Sequence, residues 1–362
     1  MTQKLVPARA VPPGRILSRE LEARGWTQKD LAQIMGRPEQ AISEIICAKK
    51  QIAPETALQL AEAFGTSPEL WMNLETSYRL LLARDEREKT IVRRSTLYSL
   101  VPVGELLNRG WIESSKSVGE LEKEVCSLLG ISSPAREPHL DANFRHKKDR
   151  QPARNSVICW VNRVKRLAGE QDSVRFDRAR LKKAIPKILE CSRQAEDVRA
   201  LPKLLRDLGI HFLIVPHLPE TYLDGAAFHV RRKPVVALTL RYDRIDSFWF
   251  TLMHELAHVV AGHGGMYLDD LDEASDDDRE QREANEMASH WVIDSDAYME
   301  FVRQTNPHFS RLRIVAFAKA QGRHPGIVLG KLQYDGWVPY RNLRGLLERV
   351  SPYLRSCIDV RA

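Results

Sequence analysis

Residues 245–263, IDSFWFTLMHELAHVVAGH, decide how the second half of the chain is read. The run is predicted to form one long apolar helix, and His254, Glu255 and His258 stand within it in an H-E-x-x-H pattern. Helical pitch puts positions four apart on one face, so both imidazoles can reach one Zn2+ ion while Glu255 serves a metal-bound water. Upstream, residues 210–215 read as a strand. GAAFHV at 225–230 and VVALTL at 235–240 give two more, with Arg231 to Pro234 as their turn. Zinc needs a third protein ligand, and an acidic run from Leu268 to Glu286 leads into a helix, REQREANEMASHWVI, that supplies candidates. His263 is expected beside the site rather than on the metal, and His324 in a structural role. Tyr222 and Tyr267 are candidate donors to an oxyanion.

The first segment has a different pattern. PPG at 12–14 precedes ILSRELEARG, an apolar-striped helix ending at Gly25. Thr27 with Asp30 makes a capping box for a helix over Gln28 to Met35, which Gly36 stops. A short turn, GRP, separates it from a third helix, Glu39 to Cys47, and two further helices would close the core with Phe64, Leu70, Trp71 and Leu74. Two short helices across a tight turn are the helix-turn-helix signature, whose second helix enters the major groove. Arg37, Gln40 and Ser43 are placed to meet base edges or nearby phosphates, and Lys49 and Lys50 to meet the backbone.

Residues 12–77, through PPGRILSRELEARGWTQKDLA, GRPEQAISEII and AKKQIAPETALQLAEAFGTSPELWMNLE, resemble the HigA-type antitoxins of the Xre helix-turn-helix class. The resemblance implies a lambda-repressor-like helical bundle that binds duplex operator DNA as a homodimer, represses its own promoter and in many cases neutralises a toxin. It places Gln28, Gln40 and Ser43 on the DNA, so the expected DNA-facing set is Thr27, Gln28, Arg37, Gln40, Ser43, Lys49 and Lys50. Cys47 and Ala48 depart from the Asn-Gly such sequences carry after the recognition helix.

Residues 205–340 are similar to the ImmA/IrrE metallopeptidases through DGAAF at 224–228, the H-E-x-x-H stretch, EANEMA at 283–288 and HPGIVLGKLQYDG at 324–336. In that family a glutamate three residues before the Ala of the Ala-Asn pair completes the zinc site; here the position is Gln281, flanked by Glu280 and Glu283. Glu280 is expected as the third ligand because it shares an apolar stripe with Ala284, Met287 and Trp291, with Gln281 and Glu283 as alternatives. An amide lacks the charge that holds zinc, so Gln281 also allows for a weakened or vestigial centre.

The composition agrees with these readings. A chain of 362 residues, 43% hydrophobic and 28% charged, has room for two or three globular units and is not collagen-like, disordered or a disulfide scaffold. Its 5 cysteines are scattered and read as reduced thiols. No apolar run approaches a membrane span and no secretory signal is seen, so a cytoplasmic protein is expected. The net charge of +7 has a basic centre between Asp141 and Arg206, including HKKDR at 146–150, which suits a polyanionic partner.

The expected architecture is therefore multidomain and predominantly α, with a C-terminal α+β zincin-like domain. It comprises a DNA-binding domain at 1–80, a helical basic connector at 81–204 and a peptidase domain with a helical extension at 205–362. The expected function is a DNA-binding regulator carrying a zinc-dependent endopeptidase that cleaves a regulatory protein, such as a repressor or toxin, or the chain itself. The alternative is a nonenzymatic antitoxin or transcription factor whose degenerate peptidase domain senses a signal or binds a toxin.

Overall fold

The computed structural model describes residues 11–83, 87–115, 117–140, 143–145, 154–172, 174–269 and 279–359. HKKDR at 146–150 and positions 270–278 of the acidic run lie outside them. The chain divides into two compact units, residues 1–96 and 97–362.

The first unit is helical: α1 (Pro13–Arg24), α2 (Gln28–Met35), α3 (Glu39–Ile46), α4 (Pro54–Phe64) and α5 (Pro68–Ala83), followed by α6 (Arg87–Leu100), whose last turn belongs to the second unit. Its core is Leu17, Leu31, Ile42, Ile45, Leu60 and Trp71, all buried; Leu70, expected there, is 43% exposed because it sits one residue, or 100°, round α5 from Trp71. The capping box forms as expected: Asp30 N–H donates to Thr27 Oγ1 at 3.2 Å, and Thr27 N–H donates to Asp30 Oδ2 at 2.7 Å. Gly25 and Gly36 close α1 and α2 in the left-handed conformation.

The second unit contains α7 (Val103–Asn108), α8 (Val118–Leu129), β1 (Asn143–Arg145), α9 (Arg154–Glu170), α10 (Arg178–Glu190), α11 (Leu201–Asp207), β2 (His211–Ile214), β3 (Gly225–Val230), β4 (Lys233–Leu238), α12 (Ile245–Ala261), β5 (Tyr267–Asp269), α13 (Arg279–Val292), α14 (Ser295–Thr305), α15 (Arg311–Gln321) and α16 (Pro325–Tyr334). The strands form one mixed sheet in the order β1-β5-β3-β4-β2. β2 runs parallel to β4, β1 runs parallel to β5, and β3 is antiparallel to both of its neighbours.

Both faces of this sheet are covered. Leu213, Val215, Ala226, Phe228, Val235 and Ala237 pack with α8 and α9, whereas Phe212, Ile214, Ala227, Val236 and Leu238 pack with α10, α11 and α12. The period-2 alternation divides the strand residues between two apolar cores, so the strands read as nearly continuous hydrophobic runs. The Trp160 indole N–H reaches across to Val215 O at 2.8 Å, and Arg163 holds Asp359 with two bonds of 2.8 and 2.6 Å.

Two expectations are corrected here. The helices assigned to a connector at 81–204 do not stand as a separate body: from Leu97 onward they form one outer layer of the sheet and contribute to the core on its other face. Their apolar stripes announced burial, but a stripe does not say against what. The turn between β3 and β4 is also tighter than expected. Arg231 and Arg232 alone make it, both at positive φ (49° and 67°), and Pro234 pairs with His229 inside the ladder.

Candidate functional site

α12 is a 17-residue helix buried on nearly every face, and His254, Glu255 and His258 all lie within it at 0–2% exposure. α13 packs along it. The buried positions of α13 are Gln281, Ala284, Ala288 and Val292, a helical stripe that starts at Gln281 rather than Glu280. The Gln281 amide oxygen lies 3.1 Å from His254 Nε2, and His254 Nε2 lies 3.1 Å from His258 Nε2. His254 Nε2 thus has one neighbouring donor atom on each of the two helices, and both separations are near the edge of about 3.3 Å of a tetrahedron built from 2.0–2.1 Å bonds.

The remaining candidates sit around this point. Glu280 reaches the Tyr267 hydroxyl, which also donates to Gly264 O at 2.9 Å; Glu283 lies 3.4 Å from His263 Nε2. His263 Nδ1 is 2.9 Å from His258 Nδ1, so the two rings are within hydrogen-bonding distance. The Tyr267 ring stacks on His258 at 4.1 Å. The Tyr222 carbonyl accepts a bond from Arg241 Nη1 at 2.7 Å, and that guanidinium lies 5.5 Å from the Tyr222 ring. His324 caps α16, accepting from Gly326 N–H at 3.0 Å. Among the described residues no three His, Cys, Asp or Glu form a metal-holding group; the α13 side chain nearest His254 is the Gln281 amide.

Gly225 belongs to the site although it carries no chemistry. A Cβ there would stand 2.4 Å from Glu255 Oε1 and 2.8 Å from Thr251 Cγ2, so only glycine lets β3 approach the face of α12 that carries Glu255. The available signal was the DGAAF stretch, whose glycine falls at a strand start.

In the first unit, Gln40, Lys49 and Lys50 are exposed at and just beyond α3, and Gln28 and Ser43 are partly exposed. Gln40 Nε2 donates to Glu44 at 3.1 Å. Thr27 is engaged in the capping box, and Arg37 Nε donates to Gln59 Oε1 at 2.5 Å. Gly14 permits the close docking of α1 on the end of α3, since a Cβ would meet Ile46 O at 2.3 Å.

Comparison with known proteins matches each unit to a family. Residues 17–71 match a helix-turn-helix model and residues 206–313 match the IrrE N-terminal-like domain. Antitoxin HigA-1 of Vibrio cholerae is 35% identical over 82 residues, 22% of this chain and 77% of that protein. The chain belongs to the HigA-type Xre helix-turn-helix family, fused to an IrrE/ImmA-like peptidase domain. Virulence-associated protein I of Dichelobacter nodosus is 32% identical over 80 residues, 22% of this chain and 74% of that protein. Among solved structures, Pseudomonas aeruginosa antitoxin HigA with the higBA promoter is 30% identical, covering 23% of this chain and 91% of that one, with a TM-score of 0.22. The HigA-type likeness lies in the N-terminal unit, a DNA-binding domain of regulator and antitoxin type. Among the described residues no helix is long and apolar enough to cross a membrane.

Proposed function

We propose that the chain is an operator-binding regulator, dimeric on DNA, whose second unit is a zinc-dependent endopeptidase acting on a regulatory protein or on the chain itself. The observation that carries the peptidase reading is the convergence of His254, His258 and the Gln281 amide oxygen, with Glu255 one position along the same buried helix. The sheet and the long helix beside it are the parts a zincin-like fold requires. His254, His258 and Gln281 would hold the metal, through two neutral imidazoles and one amide oxygen. Bound zinc supplies Lewis acidity toward water and the scissile carbonyl. The Glu255 carboxylate accepts the proton of the attacking water and delivers it to the leaving amide nitrogen. His263 and Tyr267 orient the His258 ring, the first by hydrogen bonding and the second by stacking.

The test is zinc stoichiometry by elemental analysis of full-length protein purified without a histidine tag, beside His254→Ala. About one zinc per chain, lost in the variant, is expected. No uptake even after added zinc would leave the second reading, a nonenzymatic regulator with a sensing or toxin-binding domain. Gln281, a neutral donor where zinc prefers an anion, favours that reading. For the DNA-binding unit, affinity is expected to fall steeply with salt, and replacing Lys49 and Lys50 by alanine to reduce the slope of log affinity against log salt by about 2.

A further inference from the structure

A cavity of about 420 Å³ opens beside the histidine cluster, walled by α12, α13, α16 and the chain around Tyr340. Each helix offers one face to it. α12 contributes Asp246, Ser247, Phe250 and Thr251; α13 contributes Asn285, Ser289 and Val292, with Ile293 just past its end; α16 contributes Ile327, Gly330, Lys331 and Tyr334. These spacings of three, four and seven residues are single helical stripes. His254 continues the α12 stripe one turn beyond Phe250, and its ring stacks near the Phe250 ring at 6.4 Å. Gln281 stands one turn before Asn285 on α13. The cavity therefore begins about 5.4 Å along the same two helices from the proposed metal donors, a step of one to two residues of an extended peptide.

Its chemistry is specific. Tyr242, Phe250, Tyr334 and Tyr340 give aromatic walls, and Val292, Ile293 and Ile327 add apolar surface. The charged groups that line it are matched by opposite charges: Asp224 with Arg241 at 3.7 Å, Asp246 with Arg244 at 2.5 Å, and Lys331 with Asp335 at 2.7 Å. A charged occupant would lose its hydration without an uncommitted counter-charge, whereas a neutral aromatic group gains ring contacts and apolar burial. Gly330 keeps the α16 wall back, since a Cβ there would stand 2.3 Å from Asp246 Oδ2.

We infer that this cavity is a recognition pocket for a bulky neutral group, aromatic by preference, presented beside the metal site. Its source is either a side chain flanking the scissile bond or a free small molecule of the same chemistry. The side-chain source rests on the peptidase reading; the pocket's selectivity does not.

The experiment is a ligand-observed NMR titration of the full-length chain carrying Glu255→Gln with N-acetyl-phenylalaninamide, N-acetyl-lysinamide and N-acetyl-aspartamide. The phenylalanine amide is expected to bind at least tenfold more tightly than either charged amide. Ser289→Phe, which fills the cavity, is expected to remove that preference, and Ser289→Ala to keep it. Tyr340→Ala, on the exposed rim, is a second variant that does not fill the interior and is expected to weaken the phenylalanine amide about threefold. Equal affinity for all three amides, or selective binding unaffected by both Ser289→Phe and Tyr340→Ala in folded protein, would overturn the inference. A phenylalanine-centred hexapeptide distinguishes the sources: binding at least as tight as the amide assigns a side chain, and binding of the amide alone assigns a small molecule. Selective binding by a chain that takes up no zinc keeps the pocket and removes the peptidase reading. Zinc-dependent hydrolysis with no preference among the amides removes the pocket alone.

Discussion

Gln281 is the residue on which the proposed chemistry of the second unit turns. It is buried, its oxygen faces His254, and it is neutral where a carboxylate would add charge to the donor set. Gln281→Glu is expected to raise zinc affinity about tenfold or more in a competition titration against a chromophoric chelator, with little change in size or rotamer. An unchanged affinity would remove Gln281 from the donor set. Ala48 makes a second residue-scale case. It holds φ of 58°, a conformation that suits glycine, immediately after the recognition helix. Ala48→Gly is expected to stabilise the first unit by about 1 kcal/mol, read as a higher denaturant midpoint with an unchanged slope.

At the scale of elements, the approach of β3 to α12 sets where Glu255 stands. Gly225 makes that approach possible, and the Oε1 contact leaves no room for a methyl group. Gly225→Ala is expected to cost about 1–3 kcal/mol of stability in urea unfolding through overpacking. If the zinc site is active, it should also lower turnover by about a hundredfold, because a displaced Glu255 no longer meets the water it serves. The stripe on α13 teaches the same lesson. Adjacent helical residues differ by 100° in direction, and an apolar face is itself about 100° wide, so Glu280 and Gln281 were both compatible with the sequence pattern. Only packing against α12 set the phase, with Gln281 inward and Glu280 toward Tyr267.

For the molecule as a whole, the pH dependence of stability should come partly from histidines other than His254 and His258. Burial, with nearby Lys233, lowers the pKa of His211, and burial with Arg109 and Arg241 lowers that of His217. Both remain neutral in the fold at pH values where the unfolded chain takes up protons. Their contribution is therefore present above the ordinary histidine pKa of about 6.5 and is lost as pH falls through it toward the depressed folded values. The second unit is expected to unfold at lower urea at pH 5.5 than at pH 7.5, and His211→Gln is expected to reduce that difference.

The sequence by itself determined everything that depends on neighbours within a turn or two of the chain: the capping box at Thr27 and Asp30, the glycine stops, the helix-turn-helix pattern, and the spacing that puts His254 and His258 on one face. Local hydrogen bonding and helical periodicity are short-range and need no partner element. The tertiary structure decided whatever required the phase and depth of one element against another. It turned the supposed connector into an outer layer of the sheet, brought Gln281 rather than Glu280 to the histidines, made Gly225 a steric requirement and left the aromatic cavity beside them. Amphipathic stripes specify that a face is buried; close packing between elements specifies what buries it and which atoms meet.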